Sequence, residues 1–418
     1  MRPSGAFAAL RVRNFRLYFT SQIISVSGQS MQMLGQAWLV LKLTGSGVDL
    51  GAVTAAQFLP LLVFGSYGGM VADRLEKRRV LLVTQSTGGV LALLLGVLTA
   101  AGATRLWMVF ALSLALGFVN AIDSPARQVF ATDMVGPGLV SSAVSLIEVV
   151  INTSRVFGPA LAGVVITWFG IAPCFFANAA SFVPAVAALV MIRTADMHHA
   201  VPAIAAPGQF RAGLRYTRAS PLLRNLILMA AASAMVYNFG VSLPVMAHRV
   251  LRCGAAGYGA MVAMFGVGAL VGAFRAASDP APAGRMVRNL AVATGVSVIV
   301  TALMPDLALA LAMMAVTGLV SIWFISLANT VTQLRTTPDM RGRVMGLWSM
   351  ALPGSLPLSG PLVGWVAQDG GGRPALAAGG VAVLATTVCG WRALTADRPS
   401  PGTLGPAPHE LASLPAGE

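Results

Sequence analysis

The sequence predicts an all-α integral membrane protein with twelve transmembrane helices in two six-helix bundles. Three observations lead to this fold class: the apolar composition, the regular spacing of apolar segments, and the distribution of arginine among the loops. Of the 418 residues, 56% are hydrophobic and 10% are charged, whereas a soluble domain carries roughly 25% charged residues. The mean hydropathy is +0.77. One soluble core could not bury so much apolar surface, because such cores stop growing near ~250–300 residues.

Charged residues divide the chain into apolar segments of about 20 residues, the length that an α-helix needs to cross a bilayer. The predicted helices are, in order, 17–41, 50–72, 80–101, 106–123, 140–166, 170–192, 223–247, 256–274, 289–304, 307–331, 343–366 and 374–392. Two boundaries contain few charges, and there a glycine and proline turn at 168–173 and the pair Pro305–Asp306 provide the breaks.

The arginine and lysine residues of the loops orient these helices. With the N-terminus in the cytoplasm, the cytoplasmic segments contain 22 of the 28 basic residues and the outer loops contain 5. This asymmetry predicts that both termini are cytoplasmic in a bacterial inner membrane. It also accounts for most of the +14 net charge without a nucleic-acid partner. The N-terminal segment lacks a small-residue cleavage site, so the first helix is predicted to be retained.

The chain divides into four predicted parts. They are a six-helix bundle at 1–192, a cytoplasmic loop at 193–222, a second six-helix bundle at 223–395, and a tail at 396–418. The tail is rich in proline, glycine and alanine and is predicted to be disordered. Similar short motifs recur about half a chain apart, which favours two parallel repeats. The pairs are Gly158–Gly163 with Gly360–Gly364 and Arg13–Phe15 with Arg224–Leu226.

The sequence carries no motif for other kinds of chemistry. There is no Walker motif for nucleotide hydrolysis, and the three cysteines are far apart, without metal-ligand spacing. No arrangement of serine, histidine and aspartate indicates hydrolysis. We therefore predict a protein that is not an enzyme, with no catalytic residue, no metal and no cofactor, and with the lipid bilayer and a small-molecule substrate as its partners.

Two glycine-containing motifs lie at predicted helix ends. The first follows helix two and reads Gly68-Gly69-Met70-Val71-Ala72-Asp73-Arg74, and then Lys77-Arg78-Arg79. Glycines allow another helix to approach closely, and a carboxylate can cap a neighbouring helix N-terminus. The second ends helix five and reads Gly158-Pro159-Ala160-Leu161-Ala162-Gly163. Its proline bends the helix, and its glycines predict close packing on helix eight, which contains Gly266, Gly268 and Gly272.

These two motifs resemble the signature loop and the antiporter motif of the major facilitator superfamily. More narrowly, the sequence resembles the drug-antiporter branch that includes macrolide efflux proteins and the enterobactin exporter. The segments that carry this narrower resemblance are Asn14–Arg16, Leu43–Ser46, Asp123–Gln128 and Asn152–Gly163. The resemblance covers helices one to six and thins after the central loop, where the second copy of the helix-two loop is degraded.

The resemblance implies two bundles that rock about a midplane cavity, with a proton gradient as the energy source. The loop after helix two would stabilise one conformation by contacts with helix eleven, and the helix-five motif would help to seal the outer side. The residues that the resemblance assigns to this conformational switch are Gly69, Asp73, Arg74, Arg78, Gly158, Pro159 and Gly163.

Helix five carries a polar stripe. Its members share one helical face and are Ser141, Ser145, Glu148, Asn152 and Arg155. A charge at the bilayer centre costs ~2.5–3.5 kcal/mol, so this face is predicted to line a cavity rather than to meet lipid. Glu148 is a candidate proton carrier or a member of a structural ion pair, and both interpretations stay open. Asn152 and Arg155 are candidate cavity residues.

Asp123 and Arg127 lie one turn apart at the predicted cytoplasmic end of helix four. A surface pair of this kind contributes only ~0.3–0.5 kcal/mol. We expect the two residues to form a cytoplasmic gate contact, which places Arg127 in the conformational switch. Asp123 is also a second candidate for proton coupling.

Helix one carries a stripe of polar residues that share one face, namely Gln22, Ser25, Gln29, Gln32 and Gln36. Amides inside a membrane need partners away from lipid, so these side chains are predicted to line the transport path. The second half of the chain offers further candidates for the cavity wall. They are Tyr237 and Asn238 on helix seven, and Ser326 and Asn329 on helix ten.

The sequence thus predicts a monomeric secondary transporter that exports an amphipathic small molecule by proton antiport. A drug, an antibiotic or a siderophore-like metabolite would fit this description. A cavity with one acid and one base disfavours a strongly ionic substrate. Two alternatives stay open: a proton-linked or facilitative importer of a small solute, and a membrane scaffold or receptor that transports nothing.

Overall fold

The computed structural model describes residues 7–198, 209–279 and 283–397. Within these ranges, the side chains of residues 65–74, 137, 195, 209, 210, 338 and 353 are not described. The described chain is helical throughout. Its α-helices are α1 Arg13–Thr44, α2 Gly47–Arg74, α3 Lys77–Ala100, α4 Leu106–Asp133, α5 Val140–Phe169, α6 Ala172–Met191, α7 Gln209–Ala219, α8 Pro221–Tyr237, α9 Phe239–Val245, α10 Gly254–Ala277, α11 Gly284–Leu303, α12 Leu307–Leu334, α13 Pro338–Ala351, α14 Leu356–Asp369 and α15 Gly372–Ala396.

Ten of the twelve predicted apolar segments coincide, to within two residues, with part or all of a single helix. Ten helical segments of the described chain are long and apolar enough to cross a membrane. The remaining helices of the predicted twelve are α1 and the pair α13 and α14. The stripe of glutamines lowers the hydropathy of α1. α13 and α14 have 14 residues each and are separately too short.

Two predicted helices are interrupted. The seventh consists of α8 and α9, which meet at Asn238, and of one π-helical turn at Met246–Val250. The eleventh breaks between α13 and α14 at the 3₁₀ turn Pro353–Ser355, and Pro353 and Pro357 each remove a backbone donor there.

One predicted helix end is corrected. The fourth helix does not end at residue 123, because α4 continues through Pro125 to Asp133 and contains its charged residues in its interior. The central segment 193–222 contains an 11-residue helix, α7. The predicted tail begins inside α15, which extends to Ala396, and from residue 398 onwards it lies outside the described residues.

Most helix contacts stay within one half of the chain. In the first half, α1 packs on α5 and α6, α2 packs on α4, and α3 packs on α4 and α6. In the second half, α10 packs on α12, α11 packs on α12 and α15, and α8 packs on α15. The two extensive contacts between the halves are α2 with α14 and α5 with α10.

The two halves also repeat a local contact. Arg78, the second residue of α3, donates hydrogen bonds to the Leu189 and Val190 carbonyls near the end of α6, both at 2.7 Å. Arg285, the second residue of α11, donates from Nε to the Thr395 carbonyl near the end of α15, at 3.2 Å. A cation is favourable at a helix C-terminus. This recurrence agrees with the repeat that the sequence motifs predict.

Candidate transport pathway

A carboxylate is buried inside the first half of the chain. Asp123 is 2% exposed and lies about 15 Å along the axis of α4 from its last residue. Its Oδ1 accepts hydrogen bonds from Thr84 Oγ1 at 2.6 Å and from Gln85 Nε2 at 2.8 Å. Its Oδ2 accepts from Arg127 Nε at 3.0 Å and from Arg127 Nη2. Three side chains on α3 and α4 therefore donate hydrogen bonds that stabilise one negative charge.

Arg127 connects this carboxylate to α1. Its Nη1 donates to Gln22 Oε1 at 3.1 Å, and its side chain is 21% exposed. The buried hydroxyl of Tyr18 lies in the electrostatic field of both charged groups and has no hydrogen-bond partner among the described residues. The predicted pairing of Asp123 with Arg127 is therefore found, but its predicted place at the cytoplasmic surface is wrong, because α4 continues beyond it.

A cavity of about 340 Å³ opens beside this ion pair. Asp123 and Arg127 lie in its wall with Gln22, Gln29 and Asn120, and α2 and α5 supply apolar side chains. A second cavity of about 190 Å³ shares Val26, Gln29 and Asn120 with the first. The two cavities together follow α1 and form a polar path on one side of an apolar wall.

The predicted stripe on α1 is divided between this path and the neighbouring helices. Gln22 accepts from Arg127, Gln32 accepts from Asn178 Nδ2 on α6 at 2.7 Å, and Gln36 donates to Ser113 Oγ on α4 at 3.1 Å. Ser25 is buried, and its hydroxyl has no partner within the described chain. Gln29 is half-buried and borders both cavities. Every glutamine of the stripe therefore lines a cavity, and Gln22, Gln32 and Gln36 also bond to other helices, whereas Gln29 borders both cavities.

The polar stripe on α5 is exposed rather than ion-paired. Neither the Glu148 carboxylate nor the Arg155 guanidinium has an ion-pair partner among the described residues. Asn152 donates to the Glu148 backbone carbonyl at 2.9 Å, and its Oδ1 accepts from Arg155 Nη1 at 3.5 Å. Arg155 also interacts electrostatically with the Tyr237 hydroxyl in the second half. The Arg155 end of the stripe therefore lies near the second half of the chain.

In the second half, Asn238 makes the shortest hydrogen bond between side chains of any predicted residue. Its Nδ2 donates to Ser359 Oγ on α14 at 2.7 Å, and its Oδ1 is buried without a partner in the described chain. The buried Tyr237 hydroxyl is likewise without a hydrogen-bond partner in the parts described. Ser326 is half-buried, and Asn329 accepts from Gln333 one turn later at 2.9 Å. These residues do not touch the two cavities in the first half.

The predicted switch after helix two is only partly described. The side chains of Gly69, Asp73 and Arg74 belong to the segment 65–74, which lies outside the description of side chains. Arg78 caps the end of α6, as given above. The neighbouring Lys77 Nζ forms an ion pair with Asp133 Oδ2 at the end of α4, at 2.9 Å. Lys77 and Arg78 therefore hold the ends of α4 and α6.

We expect Arg78→Ala to lower the thermal stability of the detergent-solubilised protein by a few degrees. The variant leaves two carbonyls of α6 without a charged donor, and hydrogen bonds to charged groups contribute about 1.5–3 kcal/mol each. Arg79→Ala is the matched control, because the Arg79 side chain is 82% exposed and pairs only with the adjacent Glu76. Equal unfolding temperatures for the two variants would contradict the capping role.

The helix-five motif lies at the contact with α10. A Cβ atom on Gly163 would lie 2.9 Å from the Ala255 carbonyl oxygen, and the Pro159 carbonyl faces Gly259. Gly158 instead packs against Ser30 of α1. Of the glycines predicted on helix eight, Gly266 faces α5. Gly268 and Gly272 face α12 at Ala315 and Leu319, so that part of the prediction is wrong.

A parallel contact joins α2 and α14, and the halves also meet at nearby helix ends. Gly47 faces the Gly364 carbonyl and Gly51 faces the Gly360 carbonyl, so closely that a Cβ atom at either glycine would collide with the backbone of α14. The Gly47 amide donates to Gln368 Oε1 at 2.9 Å, and Arg249 donates to the Gly45 carbonyl. The two glycine and proline motifs Gly158–Gly163 of α5 and Gly360–Gly364 of α14 therefore lie at the two extensive contacts between the halves.

Residues 4–398 match a family of major facilitator proteins that is described as transmembrane secretion effector. The chain belongs to this family of transporters.

Relatives of the transporter include an efflux pump, an exporter and a siderophore transporter. It is 27% identical to the multidrug efflux pump Tap of Mycolicibacterium fortuitum, over 80% of this chain and 86% of that protein. It is 25% identical to the enterobactin exporter EntS of Shigella boydii, over 80% of each. It is also 28% identical to the staphyloferrin A transporter of Staphylococcus aureus, over 41% of this chain and 43% of that protein. The chain spans about half the length of two of the curated relatives that it matches.

Solved structures agree with the fold. A bacterial homologue of the human lysosomal transporter Spinster, in an inward-facing and unoccupied conformation, superposes with a TM-score of 0.72 at 15% identity. The superposition covers 94% of this chain and 99% of that chain. The transporter is therefore a multi-pass membrane protein with the major facilitator fold, and its family is one of transporters and not of enzymes.

Sequence reasoning missed four residues of the pathway, namely Tyr18, Thr84, Gln85 and Asn120. Isolated hydroxyls and amides in apolar helices carry little signal alone. One signal was available for the α3 pair, because Thr84 and Gln85 begin a run of four polar residues, 84–87, inside a predicted membrane helix, and a buried polar side chain needs a partner.

Proposed function

We propose that this chain is a proton-coupled exporter of amphipathic small molecules with twelve membrane-spanning helices in two six-helix bundles. In this proposal α1 and the pair α13 and α14 also cross the bilayer. The first bundle comprises α1 to α6, and the second comprises α8 to α15. The distribution of basic residues supports cytoplasmic termini in a bacterial inner membrane. We further propose that the monomer is the working unit, since each bundle finds its counterpart within one chain.

The contacts between the bundles support an inward-open conformation. In the proposed orientation, the C-terminal end of α1, the N-terminal end of α2 and the C-terminal end of α14 all lie on the outer side. The bonds of Gly45 to Arg249 and of Gly47 to Gln368 therefore close that side. Trp38 adds an edge contact with His248, with ring centroids 5.9 Å apart. The cavities in the first bundle would then open to the cytoplasm.

The observation that carries the coupling proposal is the buried pair of Asp123 and Arg127 in the cavity wall. A proton that binds Asp123 removes the negative charge, and it thereby releases Arg127 from its strongest partner. Burial makes this exchange energetically large, because an unpaired charge in such a site costs about 3–5 kcal/mol. A single proton could therefore change which helices α4 holds.

The sequence of events follows from the state of this pair. With the outer side closed and Asp123 ionised, the exporter would accept a substrate from the cytoplasm beside α1. After the change to the outward-open state, the substrate would leave and Asp123 would take up an external proton. The return to the inward-open state would deliver that proton to the cytoplasm, where Arg127 pairs with the carboxylate again.

The walls of the cavities support an amphipathic substrate. The apolar side chains of Phe58, Leu61 and Ile151 face the amides of Gln22, Gln29 and Asn120 across the larger cavity. The ion pair in the wall is internally neutral and therefore offers little net charge to a ligand. This lining suits a molecule with an apolar body and several hydrogen-bonding groups, such as a drug, an antibiotic or a siderophore-like metabolite.

We expect Glu148→Gln to retain proton-driven export within about threefold of the native rate. The Glu148 carboxylate has no ion-pair partner among the described residues, so its replacement by an amide removes no described ion pair. The rate would be measured as pH-gradient-driven movement of radiolabelled tetracycline, an amphipathic probe, in proteoliposomes. Loss of the dependence on the pH gradient in this variant alone would move the coupling site from Asp123 to Glu148.

The same proteoliposomes distinguish the other functions. An exporter moves the probe against its gradient when protons flow the opposite way. An importer moves it with the protons, and a scaffold or receptor produces no movement for tetracycline or for the cation ethidium. Probe movement against its gradient, opposite to the protons, is the result that we expect.

A further inference from the structure

A basic concavity lies far from the transport pathway, where α11 begins and α15 ends. It has a volume of about 570 Å³ and is lined by Arg285, Trp391, Arg392, Thr395 and Ala396. Arg288 stands beside it, with its guanidinium 4.3 Å from the centre of the Trp391 ring. Three cations therefore surround one opening, and no acidic side chain lines it.

Hydrogen bonding leaves part of this cationic surface free to bind a ligand. The Arg392 guanidinium and the Trp391 indole N–H have no hydrogen-bond partner in the described part of the chain. Arg285 uses only its Nε, toward the Thr395 carbonyl, and Arg288 bonds to Asn289 and to Thr395 Oγ1. These bonds fix two of the three arginines around the opening and leave Arg392 free.

The nearest acidic residue in the chain does not neutralise the site. Asp397 Oδ1 accepts a hydrogen bond from Arg335 Nε at 2.7 Å, and its Oδ2 accepts one from the Gly284 backbone amide at 2.9 Å. Both carboxylate oxygens of Asp397 therefore already accept hydrogen bonds from protein groups outside the lining of the concavity. The concavity keeps its positive charge and attracts an anion.

The position of the concavity indicates the source of that anion. Trp391 is 44% exposed and lies in the last turns of a membrane-length helix, which is where tryptophan anchors at the boundary between lipid and water. Basic pockets between transmembrane helices on the cytoplasmic side bind the head groups of anionic lipids. In the first half, Arg78 caps the Leu189 carbonyl, and the residues four and three positions before Leu189 are Ala185 and Val186 instead of a tryptophan and an arginine.

We propose that this concavity binds the phosphate of an anionic phospholipid, with Arg392 and Arg285 as ligands and Trp391 against the glycerol region. The bound lipid would bridge the ends of α11 and α15. This inference does not depend on what the protein transports. A soluble phosphate is the other source of the same chemistry, and the experiment separates the two.

The test uses the purified full-length protein in detergent and measures binding of phosphatidylglycerol by native mass spectrometry. The key variant is Arg392→Gln, which removes a side chain without a protein partner and therefore should not affect folding. We expect it to weaken phosphatidylglycerol binding roughly fivefold, the effect of one arginine at an anionic surface. Arg16→Gln is the matched control, because Arg16 is exposed on α1 in the other half.

Binding of phosphatidylcholine and of inorganic phosphate completes the design. We expect phosphatidylcholine and inorganic phosphate to bind more weakly than phosphatidylglycerol, and neither to depend on Arg392 to the same degree. Unchanged phosphatidylglycerol binding in Arg392→Gln, or an equal loss in Arg16→Gln, would overturn the site. Inorganic phosphate that binds as tightly as the lipid, with the same dependence on Arg392, would overturn the lipid as its ligand.

Discussion

The Asp123→Asn variant is expected to fold and to equilibrate substrate across the membrane, but to lose export driven by a pH gradient. Asparagine keeps the shape of aspartate and can still accept hydrogen bonds from Thr84 and Gln85. It cannot exchange a proton, and it leaves Arg127 without its charge partner. The loss of the pair costs at most about 3–5 kcal/mol, and less where cavity water reaches Arg127. The measurement is tetracycline accumulation in inverted vesicles with and without a pH gradient.

The same helix offers a matched control. Asp133, the last residue of α4, is also buried, and it forms an ion pair with Lys77 at the start of α3. Asp133→Asn therefore removes a comparable pair outside the cavity, and we expect it to retain gradient-driven export. The double variant Asp123→Asn, Arg127→Gln removes both charges and should recover stability without recovering coupling. Gradient-driven export by Asp123→Asn at the native rate would exclude Asp123 as the coupling residue.

The second large effect is expected at the contact between α2 and α14. A side chain at Gly51 would meet the Gly360 carbonyl, with its carbon 2.8 Å away and the Pro361 Cα 3.0 Å away. These are backbone atoms, so Gly51→Val forces the two helices apart. Overpacking costs about 1–3 kcal/mol, which shifts a two-state equilibrium by roughly 5- to 150-fold. We therefore expect the variant to favour an opened outer side and to lose transport.

Labelling from outside the cell measures this shift. After Cys174, Cys253 and Cys389 have been replaced, a single cysteine at Gln29 reports access to the cavity for a membrane-impermeant maleimide. Gly51→Val should react several-fold faster than the native background. Gly346→Val is the control, since a Cβ at that glycine would meet no atom of another described element within 4 Å. Equal labelling rates in both variants would show that the α2 and α14 contact does not close the outer side.

The helices could be predicted because their cause is local. Apolar segments of membrane length, separated by charged turns, place every predicted segment on helical structure, although the fourth extends to Asp133 and the seventh and eleventh are interrupted. The glycine and proline motifs indicate where helices approach closely. The stripe on α1 could be predicted for the same reason, because its periodicity is a property of one helix. The structure then divides that stripe according to the partners that other helices bring, such as Asn178 for Gln32.

The central ion pair was harder to interpret because its surroundings come from distant parts of the chain. Charges normally mark helix ends, so Asp123 and Arg127 predicted a boundary at the cytoplasmic surface. Only the packing of α3 against α4 brings Thr84 and Gln85 to the carboxylate and shows that the pair is buried. The converse holds for Glu148, whose helical face is polar but exposed. Tertiary burial, which a single sequence does not contain, is the ground on which we propose Asp123 rather than Glu148 as the coupling residue.

Proton movement that accompanies the substrate tests the proposed exporter most directly. The protein would be reconstituted into liposomes that contain a pH-sensitive dye, and a tetracycline gradient would be imposed without any initial pH gradient. Antiport predicts that the probe and the protons move in opposite directions, and that Asp123→Asn abolishes the pH change while the probe still equilibrates. Movement of tetracycline with no pH change, or with protons in the same direction, would contradict proton-coupled export.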